Sequence, residues 1–215
     1  LSEVLAAVRR YPVVSLLSTN GQNLNDERVI AALLANPPTF LLVAIDGLTD
    51  ETNTRFRVGA RLAPALEGVR RLAELKQERR QHLPVLHMRY IVMKQNQHEL
   101  PSLEGFAREH GFDLLTTRTL SPLAVDVADT LHLDMMPDDP QFRAYHYEEG
   151  RRIARDDFVC QQPFWFPTMF ADGTIVGCEQ DHNGARPLGV LGPGTTFRQI
   201  WFGAQAAAMR GLCRR

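Results

Sequence analysis

The 215-residue chain carries 24 lysines and arginines against 25 aspartates and glutamates, for a formal net charge of −1, and 44% of its residues are apolar. That balance supplies no electrostatic reason for a nucleic acid or an anionic membrane as partner, and it excludes the disordered and fibrous classes. The length suffices for one good core, or for one larger domain with a small appendage.

Residues 1–10 (LSEVLAAVRR) read as the last turns of an amphipathic helix with basic residues at its C-terminal end. They do not read as a secretory signal. Tyr11-Pro12 breaks this pattern, and residues 13–18 form a compact apolar strand ending in Thr19-Asn20-Gly21. Asn25 or Asp26 caps a helix that Pro37-Pro38 stops. Residues 39–45 (TFLLVAI) are a second strand, apolar on both faces, as a parallel strand covered by helices requires.

A polar loop from Asp46 to Gly59 leads into a long helix over residues 62–80, where Leu62, Leu66, Val69, Leu72 and Leu75 recur near helical spacing. A third strand over 85–93, a helix over 100–110 ended by Gly111, and a fourth strand over 113–117 complete the series. Strand alternating with helix predicts right-handed βαβ units around a parallel sheet or barrel. In such folds ligands gather where strands pass into the following loops, a rim that includes Asn20, Asp46, Arg57, Lys94 and Asn96.

Periodicity is lost over 123–150, and Pro137-Asp-Asp-Pro140 suggests an irregular linker. The expected division is a first domain over 1–136, a linker over 137–159 and a second domain over 160–215. Within the last, strands over 166–170 and 174–176 flank Ala171-Asp172-Gly173, a strong hairpin signal because glycine takes the positive φ of the turn. Cys160 and Cys178 bracket this hairpin. Two such thiols can ligate a metal or cluster, form a disulfide, or merely pack. Trp165 and Trp201 read as core residues of the small domain. Three cysteines in all make a disulfide-stapled secreted framework a poor fit and a reduced, cytoplasmic setting the expectation. The longest apolar runs, 39–45 and 164–170, are too short to span a bilayer.

Taken together, these elements resemble the radical SAM family with its C-terminal SPASM domain. Thr19-Asn20-Gly21 resembles the third-strand element. Ala44-Ile45-Asp46-Gly47, continued through Glu51-Thr52 to Arg57-Val58-Gly59, looks like the fourth strand and its loop. Tyr90 to Asn96, with Glu99-Leu100 and the helix ending at Gly111-Phe-Asp113, is similar to the fifth strand, helix and sixth strand. Twelve residues separate Cys160 from Gly173 and four separate Gly173 from Cys178, which fits the opening of the SPASM pattern. Ile200-Trp201 and Arg210 fit its usual surroundings.

The resemblance implies the later strands of a partial (β/α)6 barrel followed by half of a cluster-binding domain. It implies reductive cleavage of S-adenosylmethionine (SAM) to a 5′-deoxyadenosyl radical that acts on a peptide, protein or small molecule. It implies [4Fe-4S] clusters, and an electron donor such as flavodoxin or ferredoxin. Carried over residue by residue, Asn20, Asp46 and Arg57 become SAM contacts and Cys160, Cys178 and Cys213 become auxiliary-cluster ligands. Ala44 departs from the pattern where a Ser often contacts SAM. The family's Cys-x3-Cys-x2-Cys loop and Gly-Gly-Glu element are absent from the sequence, and both chain ends read as cut. The alternative is a barrel-derived binding module without catalysis. A third reading makes Lys94 a Schiff-base lysine. The histidines His82, His87, His98, His110, His132 and His146 show no metal-ligand spacing with one another.

Overall fold

The computed structural model describes residues 1–120, 134–143, 146–148, 151–153 and 160–213. They fall into two compact units, Leu1–His146 and Tyr147–Arg215.

The first unit is built on a four-stranded, all-parallel sheet in the order β1 (Leu16–Thr19), β2 (Phe40–Ala44), β3 (Val85–Val92) and β4 (Leu114–Thr119). The connections carry α1 (Ser2–Val8) ahead of β1, α2 (Glu27–Ala35), α3 (Asp50–Thr54), α4 (Leu62–Glu78), a 3₁₀ turn (Gln97–Ser102) and α5 (Leu103–Glu109). Asp26 caps α2 by accepting from the Arg28 amide. The mixed α/β class is thus as expected, with a parallel sheet rather than a demonstrated barrel.

Alternation along each strand decides what the sheet buries. Leu41, Val43, Leu86, Met88, Tyr90 and Val92 are fully buried and join Ile30, Leu33, Val69 and Leu72 from the helices in one core. The stripe on α4 runs Leu62, Ala65, Val69, Leu72 and ends in Lys76. That buried ammonium is matched by Asp113, 2.6 Å away, whose same oxygen also accepts from the Leu86 amide at 2.8 Å. Asp113→Ala strands both donors and is expected to cost about 1–3 kcal/mol, read as a lowered urea midpoint at unchanged m-value.

At one edge of the sheet stands β1, which begins at Leu16 and not at Val13 as expected; Val13 and Val14 precede it and are exposed, as is Leu16. A bare apolar edge of this kind is an aggregation liability.

The second unit contains a short β5 (His146–Glu148) and β6 (Arg151–Ile153) pair, β5 starting on the last residue of the first unit. It also holds an antiparallel sheet of β7 (Thr168–Met169), β8 (Thr174–Val176) and β9 (Pro187–Val190). The β7–β8 hairpin turns where expected: Gly173 has φ +87°, the Phe170 amide donates to the Thr174 carbonyl, and Asp172 accepts from the Thr174 amide. Helices α6 (Gln162–Trp165), α7 (Phe197–Trp201) and α8 (Ala204–Leu212) complete the unit. Ile175, Leu188, Ile200, Trp201 and Ala206 form its core.

Four expectations need correction. The strand over 166–170 shrinks to two residues, because Pro163 starts a helical turn just before it. Trp165 is 72% exposed, not a core residue, whereas Trp201 is buried. The helix over 100–110 opens as a 3₁₀ turn around Pro101, and α5 proper begins at Leu103. β5 and β6 both lie inside the linker expected to be irregular over 137–159, and β9 has no counterpart among the expected elements. Residues 121–133, including His132, and 154–159 of the expected linker lie outside the described residues. No helix among the described residues is long and apolar enough to cross a membrane.

Candidate functional site

The rim at the C-terminal ends of β1 and β2 is organised by Asp46, the second residue after β2. Its side chain is fully buried. One carboxylate oxygen accepts from Arg57 Nε at 2.6 Å and the other from the Ile91 amide at 2.7 Å. Burial pushes this carboxyl above 3.8, against the pull of the Ile91 amide and the Arg57 guanidinium. The Asp46 amide donates to Asn53 Oδ1 and its carbonyl accepts from Asn96 Nδ2. Every polar group of Asp46 is therefore spent on joining β2, α3 and the end of β3.

Asn96 does the same work from the other side. Its Nδ2 donates to the Asp46 and Ile91 carbonyls, and its Oδ1 accepts from the Met93 amide. The Tyr90 hydroxyl donates to Glu99 Oε2 at 2.6 Å and contacts the Asn96 carbonyl, while Glu99 also accepts from the Leu48 amide. Burial, then the Glu99 carboxylate, raises the phenol far above its ordinary range. This closed polar network is satisfied throughout, which makes the rim rigid.

Two of the three residues expected to contact SAM, Asn20 and Arg57, line one cleft, and the network holds the second of them through Asp46. Arg57 keeps part of its guanidinium accessible, with its side chain 21% exposed. Asn20 and Arg57, with Gln22, Phe56, Val58 and Gly59, line an open cleft of about 320 Å³. Gln22 clamps its two sides: its side chain donates to the Arg61 carbonyl and accepts from the Arg61 amide. Asn20 Oδ1 accepts from the Gln22 amide, so this residue also serves the turn at Gly21. Asp46 reaches the cleft only through Arg57. Lys94 is a solvated loop cation with its ammonium 3.6 Å from Asp138, lacking the apolar surroundings that activate a Schiff-base lysine.

In the second unit all three cysteines are free, partly buried thiols. Neighbours of each converge. Met209 on α8 packs its sulfur against Gly177, beside Cys178, and Pro163, three residues after Cys160, approaches the same glycine. Arg210 fixes this arrangement, donating to the Pro163 and Trp201 carbonyls and lying 4.1 Å over the Trp201 ring. Burial pushes the Cys213 thiol up, and the charges of Cys160 and Cys178 add to that shift. Among the described residues, no group of three or more His, Cys, Asp or Glu side chains stands in an arrangement that holds a metal ion.

Sequence reading misses Asn53 and Gln22, whose partners lie 7 and 39 residues away. It also misses Arg89 and Arg118, though His87-x-Arg89 and Thr116-x-Arg118 alternate with other residues in a way that betrays a polar second face.

No protein-family model and no curated protein matches the chain. Among solved structures, SuiB of Streptococcus suis bound to S-adenosylmethionine is 14% identical with a TM-score of 0.66, over 97% of this chain and 52% of that one. The same protein bound to precursor peptide SuiA gives 11% identity and a TM-score of 0.63 over 97% and 52%. A histidine-tagged anSMEcpe with bound AdoMet gives 14% and 0.54 over 93% and 57%. The chain spans about half the length of these structures. At these identities the likeness shows a shared fold, with the parallel sheet of the first unit and the antiparallel sheet of the second both within the matched length.

Proposed function

We propose that the chain is part of a radical SAM/SPASM oxidoreductase or maturase that cleaves SAM reductively and modifies a peptide, protein or small-molecule substrate. The observation that carries this reading is the joint presence of Asn20 and Arg57 in one cleft at the strand ends. In it, Arg57 binds the SAM carboxylate through its guanidinium fork, Asn20 adds a hydrogen bond, and Asp46 positions Arg57. Cys160, Cys178 and Cys213 are the thiols that would hold an auxiliary [4Fe-4S] cluster, which would supply substrate binding or electron acceptance there. A peptide substrate is favoured by the likeness to SuiB, a structure of which holds its precursor peptide. The electron donor is of the flavodoxin or ferredoxin class. The first unit is the later part of a (β/α)6 barrel.

Two measurements test this. SAM titrated into the chain by calorimetry should bind, and Arg57→Gln should weaken binding by about 10- to 100-fold, the worth of a hydrogen bond to a charged group. Anaerobic reconstitution with iron and sulfide should load the protein, and Cys160→Ala or Cys178→Ala should abolish loading. No SAM binding, or no iron retained, removes the respective half of the reading. If SAM binding fails while the fold is intact, the inactive binding module takes its place.

A further inference from the structure

The face of the sheet opposite the helices is apolar at Leu42 and Ala44 of β2 but turns polar at β3 and β4. Position by position, β3 sends Leu86, Met88, Tyr90 and Val92 into the core and therefore His87, Arg89 and Ile91 the other way. The register places Arg89 beside Ala44 on one side and Thr116 on the other, and Arg118 beside Ile91. Arg89 and Arg118 are then diagonal neighbours on one face, roughly 8 Å apart at Cα from the strand spacing and rise.

Among the described residues neither arginine forms an ion pair. Arg89 Nε is buried and makes no hydrogen bond. The charge of Arg89 is felt at Asp46, but both oxygens of that carboxylate are already taken by Arg57 and the Ile91 amide. Beside the two cations sits His87, buried, its Nε2 2.7 Å from Thr116 Oγ1. Burial, then Arg89 and Arg118, push the imidazole below its ordinary range, which favours its neutral form. A buried guanidinium N–H without an acceptor is unfavourable unless a ligand supplies one.

We propose that this face binds a carboxylate of the substrate, an Asp or Glu side chain or the C-terminus of a peptide, clamped between Arg89 and Arg118. Planar forks on adjacent strands suit a two-oxygen acceptor, and an arginine left with an open N–H is already desolvated for it. The inference deepens the reading above by naming the substrate's charge, and rests on it only for calling the anion a substrate. Binding to the sheet face needs neither SAM nor a cluster, so the two ideas fail separately.

The test uses the chain as it is and three probes: an uncharged-capped pentapeptide containing glutamate, the same peptide with glutamine in its place, and the glutamine peptide with a free C-terminus. Binding is read by calorimetry, and the Arg89 Nε–H resonance is followed by ¹⁵N NMR. The glutamate peptide or the free C-terminus should bind at least tenfold tighter than the capped glutamine peptide and shift the Arg89 signal downfield. Which of the two does so identifies the source of the carboxylate. Arg118→Gln, at an exposed position, and Arg89→Lys, which keeps the charge but loses the fork, should each weaken that binding about tenfold. Arg28→Gln, on α2, should leave it unchanged. Equal binding of all three peptides, an unmoved Arg89 resonance, or indifference to both variants overturns the proposal.

Discussion

Asp46→Ala is expected to lower the stability of the first unit by about 3–5 kcal/mol, the cost of removing one partner from a buried ion pair. The total available to a domain is about 5–15 kcal/mol, so the variant should unfold at a much lower urea concentration. The size follows from what is orphaned. Arg57 loses a 2.6 Å charge-assisted bond, and the Ile91 amide loses its acceptor. Asp46→Asn keeps the volume and an acceptor for Ile91, and should lose only about 1–3 kcal/mol. The double variant Asp46→Asn with Arg57→Gln should cost less than the sum of the singles, since each single leaves a charge without its partner. A loss below about 1 kcal/mol for Asp46→Ala, against the value expected from a buried pair, would mean that the carboxylate is not what holds β2 to β3.

How far such a residue can be read from sequence depends on where its partners lie. β2 and α4 are legible because their patterns are local: a continuous apolar run, and apolar residues at helical spacing. The Asp172-Gly173 turn is legible because one residue pair carries its geometry. Asp46 is legible as a rim residue after a strand, but its role is not. The bonds that fix it come from Arg57, 11 residues on, Ile91, 45 on, and Asn96, 50 on. Separations of that order leave no trace in a short window. The second face of the sheet is hidden for a different reason. Buried parallel strands are commonly apolar on both faces, and β2 obeys this, whereas β3 alternates His87, Arg89 and Ile91 with core residues. The helical turn at 162–165 is masked by a Phe-rich segment that suits a strand equally well. The surroundings of the cysteines give a third case: their spacing is visible, but the packing of Met209 against Gly177, beside Cys178, depends on α8 folding back.

The same long-range logic makes Gly47 the most demanding position of the rim. A Cβ built there would lie 2.3 Å from the Asn53 amide nitrogen, 2.6 Å from the Thr52 carbonyl carbon and 2.7 Å from Asn53 Cα. All three are backbone atoms of α3, so no side chain can swing aside to make room. Gly47→Ala must displace α3 itself, at a cost of about 3 kcal/mol, the upper end of overpacking penalties. The displacement has a direction with functional meaning. Asn53 gives its Oδ1 to the Asp46 amide and its carbonyl to the Arg57 amide, so moving it shifts both members of the ion pair. Leu48, the next residue, brings its amide to Glu99, tying the strain to the Tyr90 end of the network. Gly47→Ala should therefore weaken the SAM binding proposed for Arg57 by more than its loss of stability explains. Calorimetry on the folded fraction, at a urea concentration well below the variant's midpoint, separates the two effects. Unchanged affinity there, with only the midpoint lowered, would show that Arg57 keeps its place without α3.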